Sequence, residues 1–301
     1  MGALQLGAAP SVCYAAETAW RATADKQGKN LMATSIDGAG DRSVSIGRIF
    51  NRAFGTMGSN PVTVFGIAFV FGALPGVVIN LVSQRLGYSQ QNLTTGVITP
   101  AMFVTIAVVT VLLSIIFAML TQGALVRATA AHSEGREASF GESAMAGLRV
   151  VVPLFLLGLL LALGVGLGFV LLIVPGIILY LMWAVAAPAL VEEGTGVFES
   201  FSRSAYLTKG ARWTILGLGL IMLVIYWIFS GLIGVILVSM YGVQGLAASI
   251  QQGLPIGFLL VSGVISTILT AIVATIQTSL YIELRNWKDG PATEALNEIF
   301  A

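Results

Sequence analysis

Residues able to do acid–base, nucleophilic or metal chemistry are few in this chain and do not gather. His132 is the only histidine and Cys13 the only cysteine. That excludes a cysteine-cluster metal site and an internal disulfide, and a zinc or di-iron centre would need an all-carboxylate ligand set. His132 stands beside Glu134, Arg136 and Glu137, which reads as a solvated polar loop. Neither a Walker A sequence nor a dinucleotide fingerprint, a Gly-x-Ser-x-Gly elbow or a His-Glu-x-x-His pair occurs. The expectation is therefore no enzyme, no metal and no cofactor. The chemistry left to argue is binding: Arg48, Arg52, Arg203, Lys209 and Arg212 border apolar stretches and could contact anionic headgroups.

The elements that carry these residues follow from charge-free runs. Four occur, Ala53 to Gln84, Leu86 to Val126, Val150 to Val191 and Trp213 to Ile282. Apolar residues make up 56% of the chain and charged ones 10%, so lipid must be the solvent. A membrane-crossing helix needs about 20 apolar residues. Internal breaks divide the runs into six spans near 62–82, 101–125, 149–170, 177–191, 214–238 and 257–282. On this count fourteen of the fifteen Lys and Arg fall on one side, and only Arg85 on the other. The positive-inside bias then places both termini in the cytoplasm. A net charge of +1 gives no reason to expect nucleic acid as a partner.

The spans have a threefold pattern. Ile46, Ile49, Phe50, Ala53, Phe54 and Met57 form one apolar helical face before the first span. Phe198, Phe201, Ala205 and Tyr206 repeat the spacing before the fifth, with Glu199, Ser202 and Arg203 on the polar side. Phe140, Ala144, Gly147 and Leu148 repeat it before the third, where Ser139 and Glu142 suit a capping box. The expected architecture is an all-α polytopic membrane protein of six transmembrane helices, arranged as three amphipathic-helix-plus-hairpin units. Two roles fit the amphipathic helices: elbows that prepare the next insertion, or surfaces lying on anionic inner-leaflet lipid.

Two Pro-Gly pairs mark breaks. Pro175-Gly176 divides a run too long for one crossing, and Pro75-Gly76 repeats the device in the first unit. Each reads as a hairpin turn or kink, or as a broken helix lining a ligand path. The Ser and Thr of the sixth span (Ser262, Ser266, Thr267, Thr270, Thr275 and Thr278) suit interhelical hydrogen bonds or a polar path. Glycines in the third and fifth spans, among them Gly158, Gly164, Gly168 and Gly217, favour close packing within the monomer or between copies.

The stretch Ile173-Val174-Pro175-Gly176-Ile177-Ile178-Leu179, then Ala187 to Gly194, then Phe198-Glu199-Ser200 and Ser204 to Gly210, resembles the signature of a bacterial membrane domain. That domain is associated with glycerophosphodiester phosphodiesterases. Tyr281-Ile282-Glu283-Leu284-Arg285 is similar to its C-terminal exit. The resemblance covers roughly 43–290 and implies a stand-alone member without a catalytic domain, in a bacterial inner membrane. The expected organisation is a loosely structured cytoplasmic segment 1–42, a six-span membrane domain 43–290, and a cytoplasmic tail 291–301. The first function expected is a module binding anionic lipid, a membrane-protein partner or a second copy. The alternative is a transporter or lipid flippase with a path near Pro175-Gly176 and the Ser/Thr face of span six.

Overall fold

The computed structural model of the chain describes residues 44–87, 92, 94–136, 138–252 and 255–290. The segment 1–42 and the tail 291–301 lie outside the described residues. Every regular element among the described residues is helical. Six helical segments are long and apolar enough to cross a membrane.

Helix α1 (Ile46–Ser59) precedes the first span. That span (Pro61–Arg85) consists of α2 (Pro61–Ile67), a π-helical turn over Ala68–Ala73, and α3 (Leu74–Arg85). Span two is α4 (Pro100–Ser133), whose Thr99 hydroxyl accepts from the Met102 N–H at 3.2 Å. Span three is α5 (Phe140–Leu171), begun by the Ser139 hydroxyl accepting from the Glu142 N–H at 3.2 Å. Span four is broken into α6 (Ile173–Met182) and α7 (Ala186–Glu193). Helix α8 (Val197–Thr208) leads to span five in α9 (Arg212–Gln252), which kinks at Gly242 with φ 68°. Span six is α10 (Ile256–Asp289), entered after Pro255.

Three features differ from expectation. The stretch 140–148 is no separate amphipathic helix; it is the opening of α5. It carries no breaker, and Gly147 lets it continue past span two in close contact. The hairpin between spans three and four turns at Leu172 (φ −163°, ψ 146°), three residues before Pro175. Pro175 thus sits in the first turn of α6, where its missing N–H leaves no helical bond unmade. Pro75 likewise lies in the first turn of α3, and the first span runs on through the π turn instead of breaking at Pro75-Gly76.

Packing is concentrated at the end of the bundle that carries most of the charges. Ile276, Leu280, Tyr281 and Leu284 of α10 are buried against Ile49 and Ala53 of α1 and Val185 and Ala189 of span four. Ala271 and Ala274 pack on the other side against Ile67, Ala124 and Leu125. At its other end α10 presents exposed Ile256, Leu260 and Val264. The helix is therefore the hub of the charged half and an outer wall of the other. Helix α1 turns Ile49 and Ala53 into this core while Phe54 stays exposed, so much of its apolar face meets protein. Helix α8 buries Ser200, Ser204, Leu207 and Thr208 and leaves Phe198 and Tyr206 outside.

Candidate functional site

The unusual burial of α8 has a local cause. Between α6 and α7, residues 183–185 leave helical geometry inside an apolar span. Backbone groups released there must find partners, because hydrocarbon supplies none. The Ser204 hydroxyl donates to the Met182 carbonyl at 2.9 Å and accepts from the Val185 N–H at 3.3 Å. The Thr208 hydroxyl donates to the same Met182 carbonyl at 3.2 Å. From the opposite side, Gln277 Nε2 donates to the Ala184 carbonyl at 2.9 Å. Gln277 Oε1 in turn accepts from Gln122 Nε2 at 2.8 Å. One polar network thus joins spans two, four and six and α8 around the break.

Above this network lie the charges. Glu283, 7% exposed at its side chain, pairs with Arg48 at 2.6 Å and Arg52 at 3.6 Å. Burial lowers the Arg52 pKa and Glu283 opposes that shift. Glu193 accepts from Arg203 Nε at 2.8 Å and from the Tyr281 hydroxyl at 2.8 Å, and Arg203 also binds Asp289. Although desolvation pulls the Arg203 pKa down, hydrogen bonds to Asp289 and Glu193 raise it above the ordinary value. Arg127 reaches Glu192 at 3.5 Å and Glu142 at 3.7 Å. His132 is in the last turn of α4 and not in a loop, and its Nδ1 meets the Ser59 hydroxyl at 3.1 Å.

The five basic residues singled out from sequence therefore divide. Arg48, Arg52 and Arg203 hold α1 and α8 to span four and span six through carboxylates. Lys209 and Arg212 are exposed and have no carboxylate within ion-pairing distance among the described residues. They flank the turn at Gly210 (φ +96°), where an added Cβ would stand 3.0 Å from the Trp287 ring. Beside that turn Lys288 lies over the Trp287 ring at 4.2 Å and the Tyr206 ring at 5.7 Å. Trp213 follows, 85% exposed.

The two Pro-Gly pairs are not brought together. At Gly176 an added Cβ would lie 2.6 Å from the Phe169 ring, so that turn is closed by close hairpin packing. Pro75 and Gly76 instead border a small polar pocket of about 260 Å³ with Gln122 and Thr270. Thr267, Thr275 and Thr278 of span six return their hydroxyl bonds to their own helix. The residues that sequence reasoning passed over are Gln122 and Gln277. Their signal was an amide side chain inside a charge-free run.

A helical bundle with six apolar spans, and with its broken backbone satisfied internally, is a multi-pass membrane protein. The chain belongs to the family described as domain of unknown function DUF7847, whose model matches residues 44–284. That match carries no link to glycerophosphodiester phosphodiesterases or to bacteria. No curated protein and no solved structure matches the chain.

Proposed function

We propose that this protein is a non-enzymatic membrane module that binds anionic lipid at the charged end of its bundle, with that end in the cytoplasm. The observation that carries the reading is the pair Lys209 and Arg212. Both are exposed, neither has a carboxylate partner among the described residues, and Tyr206, Trp213 and Trp287 lie around them. Cations beside amphipathic rings suit the zone between headgroup and acyl chain. Arg48, Arg52 and Arg203 serve the same end indirectly, by holding α1 and α8 in place. The three-unit organisation is part of this reading, with α1, the opening of α5 and α8 as equivalent elements. A transport path beside Pro175-Gly176 has less support, because Gly168, Phe169 and Gly176 are in contact there.

Native mass spectrometry of gently solubilised protein tests the reading. Wild type should retain anionic lipid, and the Lys209→Gln/Arg212→Gln variant should lose it while keeping its fold. Equal retention by both would overturn the assignment.

A further inference from the structure

The hairpin of spans three and four stops short of the far end of the bundle. Gln277 gives a common level, because its amide meets the Ala184 carbonyl of span four and the Gln122 amide of span two. From that level α10 rises about 32 Å to Ile256, and α4 about 33 Å to Pro100. Span four rises only about 18 Å from Ala184 to the turn at Leu172. The turn thus lies about 14 Å short of the far ends of spans two and six. Even a tilt of about 30° in α4 and α10, against an upright span four, removes only about 4 Å of that difference.

The residues of the turn match that depth. No polar side chain occurs between Val150 and Leu179, and Val170, Leu171, Leu172, Ile173 and Val174 are 65–83% exposed. The other two connections on that side carry Asn92, Thr94 and Thr95, and Ser249, Gln251 and Gln252, which suit water. Hydrocarbon also requires that a turn leave few backbone groups unpaired. Leu172 alone separates α5 from α6; its N–H donates to the Gly168 carbonyl at 3.0 Å, and its carbonyl accepts from the Gly176 N–H at 3.4 Å. Pro175 has no N–H to satisfy.

We propose that spans three and four form a re-entrant hairpin whose turn is seated in the acyl layer of the leaflet opposite the charged end, below its headgroups. The partner of the exposed surface at 170–174 is lipid hydrocarbon. Length selects it: from Glu192 to Leu172 span four rises about 30 Å, the hydrocarbon core alone, whereas a bilayer with its headgroups measures about 40–45 Å. Both ends of the hairpin stay at the charged end, so the sidedness of the other four spans is unchanged. This surface is independent of Lys209 and Arg212.

The test places a nitroxide on single cysteines of the full chain in nanodiscs, which leave both membrane faces open to solutes. Cys13→Ser provides the background, since Cys13 is the only cysteine. Leu172→Cys and Val170→Cys report on the turn, Thr95→Cys on an exposed connection, and Val224→Cys on the lipid-facing side of span five. Collision with a water-soluble nickel chelate should be at least about fivefold lower at the turn than at Thr95, because hydrocarbon excludes a polar solute. Collision with oxygen at the turn should match that at Val224. Nickel collision equal to that at Thr95 would put the turn in water and overturn the proposal. Low collision with both reagents would overturn it too, by showing the turn covered by protein.

Discussion

Gln277 uses both halves of its amide, accepting from Gln122 and donating to the Ala184 carbonyl. Replacing it with Leu takes the partner from two half-buried polar groups at once, the Gln122 amide and the Ala184 carbonyl. The expected cost is about 1–2 kcal/mol, the upper range for interhelical hydrogen bonds within membranes. Unfolding in micelles checks this, and Gln122→Leu combined with Gln277→Leu should lose less than the sum of the single variants. Glu283 is the other residue with two dependants. Glu283→Gln removes a carboxylate that both Arg48 and Arg52 pair with, and Arg52 already has its charged form disfavoured by burial. A loss of about 2 kcal/mol is expected, below that of a fully buried pair because the Arg48 side chain is half exposed. Limited proteolysis should find the α1 segment released in that variant.

At the scale of elements, spans two and three cross in backbone contact. A Cβ at Gly147 would stand 2.6 Å from the Leu120 carbonyl, and one at Gly123 would stand 3.0 Å from the Gly147 Cα. Gly147→Leu should therefore destabilise the bundle by about 3 kcal/mol, since backbone cannot yield as a flexible side chain can. Gly234→Ala, with open space around it, should be neutral in the same thermal unfolding measurement. The six spans were legible because hydropathy and length alone determine them, and the two glycines were not. Gly158, Gly166 and Gly219 look the same in sequence, yet at Gly166 and Gly219 an added Cβ would meet nothing. Which small residues carry a crossing depends on how two helices rotate against each other. The break at 183–185 was hidden for a related reason: its residues include neither Pro nor Gly. Its partners Ser204, Thr208 and Gln277 come from elements distant in the chain.

For the molecule as a whole, the two ends of the bundle are built differently. One is packed around α10 and tied by ion pairs between residues as distant as Arg48 and Glu283. The opposite end exposes Val170, Leu171, Leu172, Ile173 and Val174 at the hairpin turn. The charge asymmetry was readable from sequence, but the pairing within it was not. The rows of Arg looked equally available for headgroups, and only the fold assigns Arg48, Arg52 and Arg203 to carboxylates while leaving Lys209 and Arg212 outward. A ligand that binds only the folded state raises its stability as the ligand concentration rises. The most direct measurement is therefore thermal unfolding of the full chain in neutral micelles titrated with phosphatidylglycerol. The wild-type midpoint should rise to saturation, and that of the Lys209→Gln/Arg212→Gln variant should stay flat. Equal rises in both proteins, or none in either, would contradict lipid binding at this end of the bundle.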